Sequence, residues 1–161
     1  MAKLSPRLAL SLMGLASGVS VALALLAQHK FGMEPCPWCI LQRMIFIVLT
    51  VLCLLAAALP GMPRRALSAL MLPLTLGGIA AALWQHFVAA KSASCALTFA
   101  DKLITFVGAD MRWPDIFEVR ASCADAAASV LGVPFEFWSL ALFAVVGIAL
   151  LYSIVTPDRR A

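Results

Sequence analysis

Four runs of this chain, Leu8 to Ala27, Ile40 to Leu59, Ala66 to Val88 and Phe135 to Val155, are almost wholly apolar and each is long enough to cross a bilayer. A hydrocarbon layer of roughly 30 Å takes about 20 helical residues. An unpaired backbone group in lipid costs several kcal/mol, so each run must satisfy its own peptide groups as a helix. The alternating segments of about ten residues that build a membrane barrel are not visible in the sequence. Composition agrees, because 63% of the 161 residues are apolar and only 12% are charged. A core of this size cannot hide that much apolar surface from water. The fold class expected is an all-α membrane protein, a four-transmembrane-helix bundle, with residues 1–161 forming a single membrane domain.

The first run follows Lys3 and Arg7 and carries small residues at Ala22 and Ala24. Its apolar stretch exceeds the 7–15 or so residues of a cleavable signal, and three further spans follow, so it reads as a retained signal-anchor helix. Lys3, Arg7, Arg64, Arg65, Arg159 and Arg160 all fall on one side of a four-span topology. The positive-inside rule makes that side cytoplasmic and puts both termini there. These anchors account for the formal charge of +4, and nothing suggests a nucleic-acid face. The connections of about residues 28–39 and 89–134 then lie outside. In the longer one, Leu97, Ala100, Ile104 and Val107 repeat at helical spacing beside Asp101 and Lys102, as in a short amphipathic helix lying on the membrane. Trp113-Pro114 opens another short interfacial segment. Gly14-x-x-x-Gly18 favours close packing within the molecule, and Pro73 with Gly77 and Gly78 is a place for the third span to bend.

This topology sorts the cysteines. Cys36 and Cys39 fall in the first outer connection, Cys95 and Cys123 in the second, and Cys53 within a span as a small buried hydrophobe. Four thiols on the oxidising side of a membrane point to disulfide chemistry. The spacing leaves all three pairings of four cysteines open. Cys36-Pro37-Trp38-Cys39 has the C-x-x-C form of a redox dithiol, in which one thiol can attack a mixed disulfide made by the other. Pro35 and Pro37 suit a helix start, which places the motif at the positive end of a helix dipole, where a thiolate is favoured.

Arg43 lies one helical turn beyond Cys39 on the same face. A cation at that depth needs a partner: a Cys39 thiolate, an anionic redox cofactor, or a lipid phosphate reached by snorkelling. Its register with Cys39 favours a role at the thiol. Glu34 near Cys36 would raise that thiol's pKa, leaving Cys39 the more thiolate-like of the two. Trp38 reads as an interfacial anchor ahead of a platform for an aromatic cofactor. The third span ends in Trp84-Gln85-His86, at the depth of Arg43, which makes His86 a functional candidate.

The run Pro35-Cys36-Pro37-Trp38-Cys39-Ile40-Leu41-Gln42-Arg43 resembles the PCPxCxxQR signature of the disulfide bond formation protein B (DsbB) family, and the likeness extends over essentially the whole chain. Leu131-Gly132-Val133-Pro134 running into Trp138 is similar as well, with a somewhat different spacing. The resemblance implies a bacterial inner-membrane quinone reductase that reoxidises a periplasmic DsbA-like dithiol oxidase. It implies that Cys95 exchanges with the partner's cysteine, that Cys123 is its loop partner and exchanges with Cys36, and that Cys39 faces the quinone. It further implies that Arg43 stabilises the Cys39 thiolate and that His86 lines the pocket of a ubiquinone or menaquinone.

A quinone makes thermodynamic sense. DsbA lies near about −120 mV and structural disulfides below about −300 mV, so an ordinary disulfide oxidising DsbA would run uphill by about 8 kcal/mol. No metal, haem or flavin is expected; Cys39 is followed by Ile40 and Leu41, so the haem-attachment pattern is absent. Three other readings compete. A vitamin K epoxide reductase-like enzyme usually carries its C-x-x-C late in the chain. A structural membrane protein braced by disulfides would keep them oxidised when offered a dithiol. A four-cysteine zinc site has only one close pair in its favour.

Overall fold

The computed structural model describes residues 4–91 and 98–157. Helix α1 (Pro6–Phe31) starts where the Ser5 hydroxyl accepts the Leu8 N–H at 3.2 Å and Pro6 takes the first helical position. It ends at Gly32, whose φ of 63° suits a left-handed cap. Helix α2 (Pro37–Ala58) starts on Cys36, whose sulfur accepts the Cys39 N–H at 3.4 Å. Helix α3 (Gly61–Phe87) follows a short turn, and α7 (Phe135–Val155) closes the bundle. Among the described residues between α3 and α7 lie a 3-10 turn (Ala89–Lys91), three short helices and a hairpin of two-residue strands. The helices are α4 (Phe99–Val107), α5 (Ala109–Arg112) and α6 (Pro114–Phe117); the strands are β1 (Ser129–Val130) and β2 (Val133–Pro134).

Among the described residues, α1, α2, α3 and α7 are the four helices long and apolar enough to cross a membrane. They overrun the apolar runs at several ends. Helix α1 continues through Gln28, His29 and Lys30, and the Lys30 cation in the last turn complements the helix dipole.

The four long helices form a ring in which α1 packs on α2, α2 on α3, α3 on α7 and α7 on α1. Leu10, Leu49, Met71, Phe143, Val146 and Leu150 fill the interior, while Leu15, Val19, Leu23, Leu70 and Ile148 are left exposed on the outside. That inversion is what a lipid solvent permits. Close approach depends on glycines. Gly14 and Gly18 face Leu54 and Thr50 of α2, the intramolecular packing expected of that motif. Gly78 receives the Phe143 ring, which stacks on Phe46 at 4.0 Å between centroids. Gly77, by contrast, faces open space.

One end of the bundle is tied by polar contacts. Fully buried Arg64 donates to the carbonyls of Ser153 at 3.3 Å and Thr156 at 2.8 Å, satisfying the last carbonyls of α7. Ser68 and Ser153 hydroxyls pair at 3.1 Å, and the Tyr152 hydroxyl donates to the Leu4 carbonyl at 2.6 Å. The start of α1, the start of α3 and the end of α7 therefore share this end. The opposite end carries Cys36, Cys39 and the long connection.

That connection folds back on α2. Thr98 and Asp101 form a capping box at the start of α4. Ala100 and Ile104 are buried, and Ile104 packs with Ile40, Ala109 and Phe117. The stripe expected from spacing is thus split: Ala100 and Ile104 turn onto the protein, Val107 is exposed with Phe99 and Phe106, and Leu97 lies outside the described residues. Contact with Ile40 sets the helix rotation, which periodicity alone does not see. Leu131 and Gly132, at φ 55° and 78°, make the tight turn between β1 and β2 that leads into α7.

A Cβ on Gly78 would overlap the Phe143 ring. Gly78→Ala is expected to destabilise the bundle by about 1–3 kcal/mol in detergent unfolding, the usual cost of overpacking. Gly77→Ala should be close to neutral, and Phe143→Leu should recover part of the Gly78→Ala loss in the double variant.

Candidate functional site

Pro35 and Pro37 bracket Cys36 and fix where α2 begins, so Cys36 caps the helix and Cys39 stands in its first turn. Their sulfurs are 2.9 Å apart. The long connection brings a third thiol to them. The N–H groups of Arg120 and Ala121 donate to the Pro35 carbonyl at 3.1 and 3.4 Å, and a turn built on Ser122 and Asp125 follows. Cys123, between them in sequence, is buried and its thiol hydrogen-bonds with that of Cys36. Cys36, Cys39, Cys53 and Cys123 are all free thiols. Cys53 stands apart, buried 3.9 Å from the Met71 sulfur. Cys95 lies outside the described residues, as do Lys3, Arg159 and Arg160.

Hydrogen bonding to Cys123 first, then to Cys39, and then burial hold the Cys36 thiol well above the ordinary cysteine range. The direction is the one expected for Cys36, but its leading cause is the neighbouring sulfurs rather than Glu34.

Arg43 is only 6% exposed, so its charge does not snorkel to the surface. One guanidinium nitrogen donates to Gln28 Oε1 of α1 at 2.9 Å and also to the Ile116 carbonyl of α6. Gln28 in turn donates to the Asp115 carbonyl at 3.3 Å. The Arg43 charge lies within electrostatic reach of Cys39, while its Nε–H finds no partner among the described residues.

A cavity of about 650 Å³ opens beside these groups. Cys39, Gln42, Arg43 and Phe46 of α2 form one wall, with Gln85 of α3 and Glu136 and Trp138 of α7 alongside. Ala24 and Ala27 of α1 line it as well, and Leu131 of the hairpin stands at its edge. Gln85 Nε2 donates to the Cys39 sulfur at 3.2 Å, and Gln42 Nε2 donates to Gln85 Oε1 at 2.7 Å.

The structure thus brings together Cys36, Cys39, Cys123 and Arg43. His86 stands behind the cavity wall: its Nδ1 is 2.7 Å from Glu136 Oε1, and Glu136 is the residue of that pair which lines the cavity. Trp38 is buried against Trp84, with centroids 6.2 Å apart, and neither anchors at an exposed surface nor faces the cavity. Sequence reading passed over Gln28, Gln85 and Glu136. The available signal was their polarity within or beside apolar spans.

Fold and site define a class: a multi-pass membrane protein with a cluster of thiols at one end of its helices, next to a cavity that reaches between them. The family model described as "Disulfide bond formation protein DsbB" matches residues 6–153. Disulfide bond formation protein B 1 of Pseudomonas putida is 31% identical over 156 residues, covering 94% of this chain and 92% of the relative. Disulfide bond formation protein B of Ralstonia nicotianae is 31% identical over 141 residues, covering 87% of this chain and 88% of the relative. The corresponding protein of Polaromonas naphthalenivorans is 31% identical over 160 residues, covering 97% and 95%. The chain belongs to the disulfide bond formation protein DsbB family and is thus a membrane protein of bacterial disulfide bond formation.

Only the thiolate is nucleophilic, so a Cys36 held in its thiol form should alkylate slowly in the reduced protein at neutral pH. Its rate is expected to keep climbing above about pH 8.5, where an ordinary cysteine begins to level off. A mass-resolved alkylation profile of Cys36 that levels off at or below that pH contradicts the assignment.

Proposed function

We propose that this protein is an inner-membrane enzyme that reoxidises a periplasmic DsbA-like dithiol oxidase and passes the electrons to a membrane quinone. The observation that carries the reading is the thiol cluster itself: Cys123 meets Cys36, Cys36 meets Cys39, and Cys39 opens on a cavity beside a buried arginine. The arrangement has the order of an exchange chain. Arg64 and the start of α1 lie at the opposite end of the bundle, so the positive-inside rule supports a periplasmic position for the thiols.

In this mechanism a partner thiolate attacks the Cys95–Cys123 disulfide, and the partner leaves as a disulfide with both loop cysteines reduced. The loop dithiol then reduces the Cys36–Cys39 disulfide and becomes a disulfide again, so two electrons and two protons have moved inward. Cys39 departs as the thiolate, and the buried Arg43 guanidinium balances its charge. Re-forming the Cys36–Cys39 disulfide releases the two electrons and two protons.

The residues present fit a quinone as their recipient. The cavity walls are largely apolar, with Phe46 and Trp138 available to an aromatic ring, and the Arg43 Nε–H, without a partner among the described residues, suits a carbonyl oxygen. A ubiquinone or menaquinone bound there supplies a two-electron, two-proton acceptor. Arg43, with Gln42 and Gln85, would hold it at the wall that carries Cys39. His86 fixes Glu136, and the pair is suited to hold a proton at the cavity edge.

Purified protein supplied with quinone is expected to turn over a reduced DsbA-like oxidase, and absence of turnover contradicts the function. Arg43→Met should slow quinone-linked turnover by about tenfold or more, about 1.4 kcal/mol of barrier, while single-turnover exchange with the partner dithiol stays close to wild type. Equal loss in both steps would make Arg43 a structural residue.

A further inference from the structure

A neutral amide, rather than a charge, makes the direct side-chain contact from α3 to the Cys39 sulfur. Gln85 is 6% exposed, and its Nε2 stands 3.2 Å from that sulfur. A primary amide has two faces of opposite sign. Its NH₂ donates to a thiolate and stabilises it, whereas its carbonyl oxygen repels a thiolate and accepts only from a neutral S–H. Which face meets the sulfur therefore decides the effect on Cys39.

Gln42 is coupled to that choice. It is 3% exposed and lies on α2, where its NH₂ donates to Gln85 Oε1 at 2.7 Å. With the carbonyl of Gln85 engaged by a donor, its NH₂ is left to face Cys39. Two buried amides thus aim a donor at the reacting atom without placing a second net charge beside Arg43, which would need its own counter-ion.

We propose that Gln42 and Gln85 form an amide relay that favours the reduced, thiolate form of Cys39 and so makes the Cys36–Cys39 pair a stronger oxidant toward the loop cysteines. Gln85 touches the reacting sulfur and is a catalytic residue; Gln42 acts through it and is a positioning residue. The inference rests on the reading that Cys36 and Cys39 cycle between dithiol and disulfide. It concerns the thiol equilibrium of the chain itself, so it is tested without partner or quinone.

The test uses quinone-free, full-length protein with Cys95→Ser and Cys123→Ser, equilibrated with glutathione. In that reaction the protein dithiol and oxidised glutathione give the protein disulfide and two molecules of reduced glutathione. Gln85→Met should raise the equilibrium constant for this oxidation by about tenfold, which is a fall of about 30 mV in the pair's potential. It should also slow Cys39 alkylation at neutral pH several-fold. Gln42→Met should move both readouts in the same direction by about threefold, since Gln85 stays but loses its fixed orientation. The double variant should match Gln85→Met, because Gln42 acts only through Gln85. Unchanged constants in both single variants, or additive effects in the double variant, overturn the relay. Failure of the unsubstituted Cys36–Cys39 pair to form a disulfide at any glutathione ratio overturns instead the functional reading beneath it. Melting temperatures measured alongside separate the two cases from simple misfolding, which would lower stability without an ordered change in potential.

Discussion

Burying the Arg43 guanidinium among apolar helices is the constraint around which the thiol end of this protein is built. Removing such a charge from water costs several kcal/mol unless its donors are met. The chain meets them from two distant places, Gln28 near the end of α1 and the Ile116 carbonyl of α6. Satisfying one side chain on α2 therefore draws α1 and the long connection onto the same end of the bundle. From Ile116 only a few residues separate that anchor from the N–H groups that grip the Pro35 carbonyl, and these in turn set Cys123 against Cys36. The contacts that satisfy a buried cation thus continue along the chain into those that hold the third thiol.

The two ends of the bundle solve similar problems differently. At one end Arg64 is enclosed by the carbonyls that finish α7, with the Ser68 and Ser153 hydroxyls pairing nearby. At the other, Arg43 faces a cavity, and its Nε–H has no partner among the described residues. The first arrangement locks helices together; the second leaves electrostatic capacity available for chemistry. Between them the interior is ordinary close packing, made possible where Gly14, Gly18 and Gly78 let a neighbouring side chain approach the backbone.

Much of this was legible from sequence because the signals are local. Span length, the basic residues at alternate ends and the prolines around Cys36 each report on a few consecutive residues, and together they located the helices and the C-x-x-C at a helix start. The register of Arg43 with Cys39 likewise needed only the helical period. Gln85 and Glu136 were not legible, since their roles arise where α3 and α7 meet α2, and a neutral amide has no spacing signature. Trp38 shows the same limit: an aromatic residue at a span's edge reads as an anchor until Trp84 of another helix is seen to cover it. The rotation of α4 was hidden for a related reason, because Ile40 selects which of its apolar residues turn inward. Polar residues adjacent to Arg43 and His86 within apolar spans were the clue available.

The central claim is that the outer thiols form one electron path that empties into an acceptor within the membrane. The most direct measurement is a stoichiometric titration of fully oxidised, quinone-stripped protein with a reduced DsbA-like oxidase. The account predicts a burst that oxidises two equivalents of partner, one for each disulfide, then a halt that added quinone relieves. Continued oxidation without quinone, or a halt that quinone does not relieve, would contradict it.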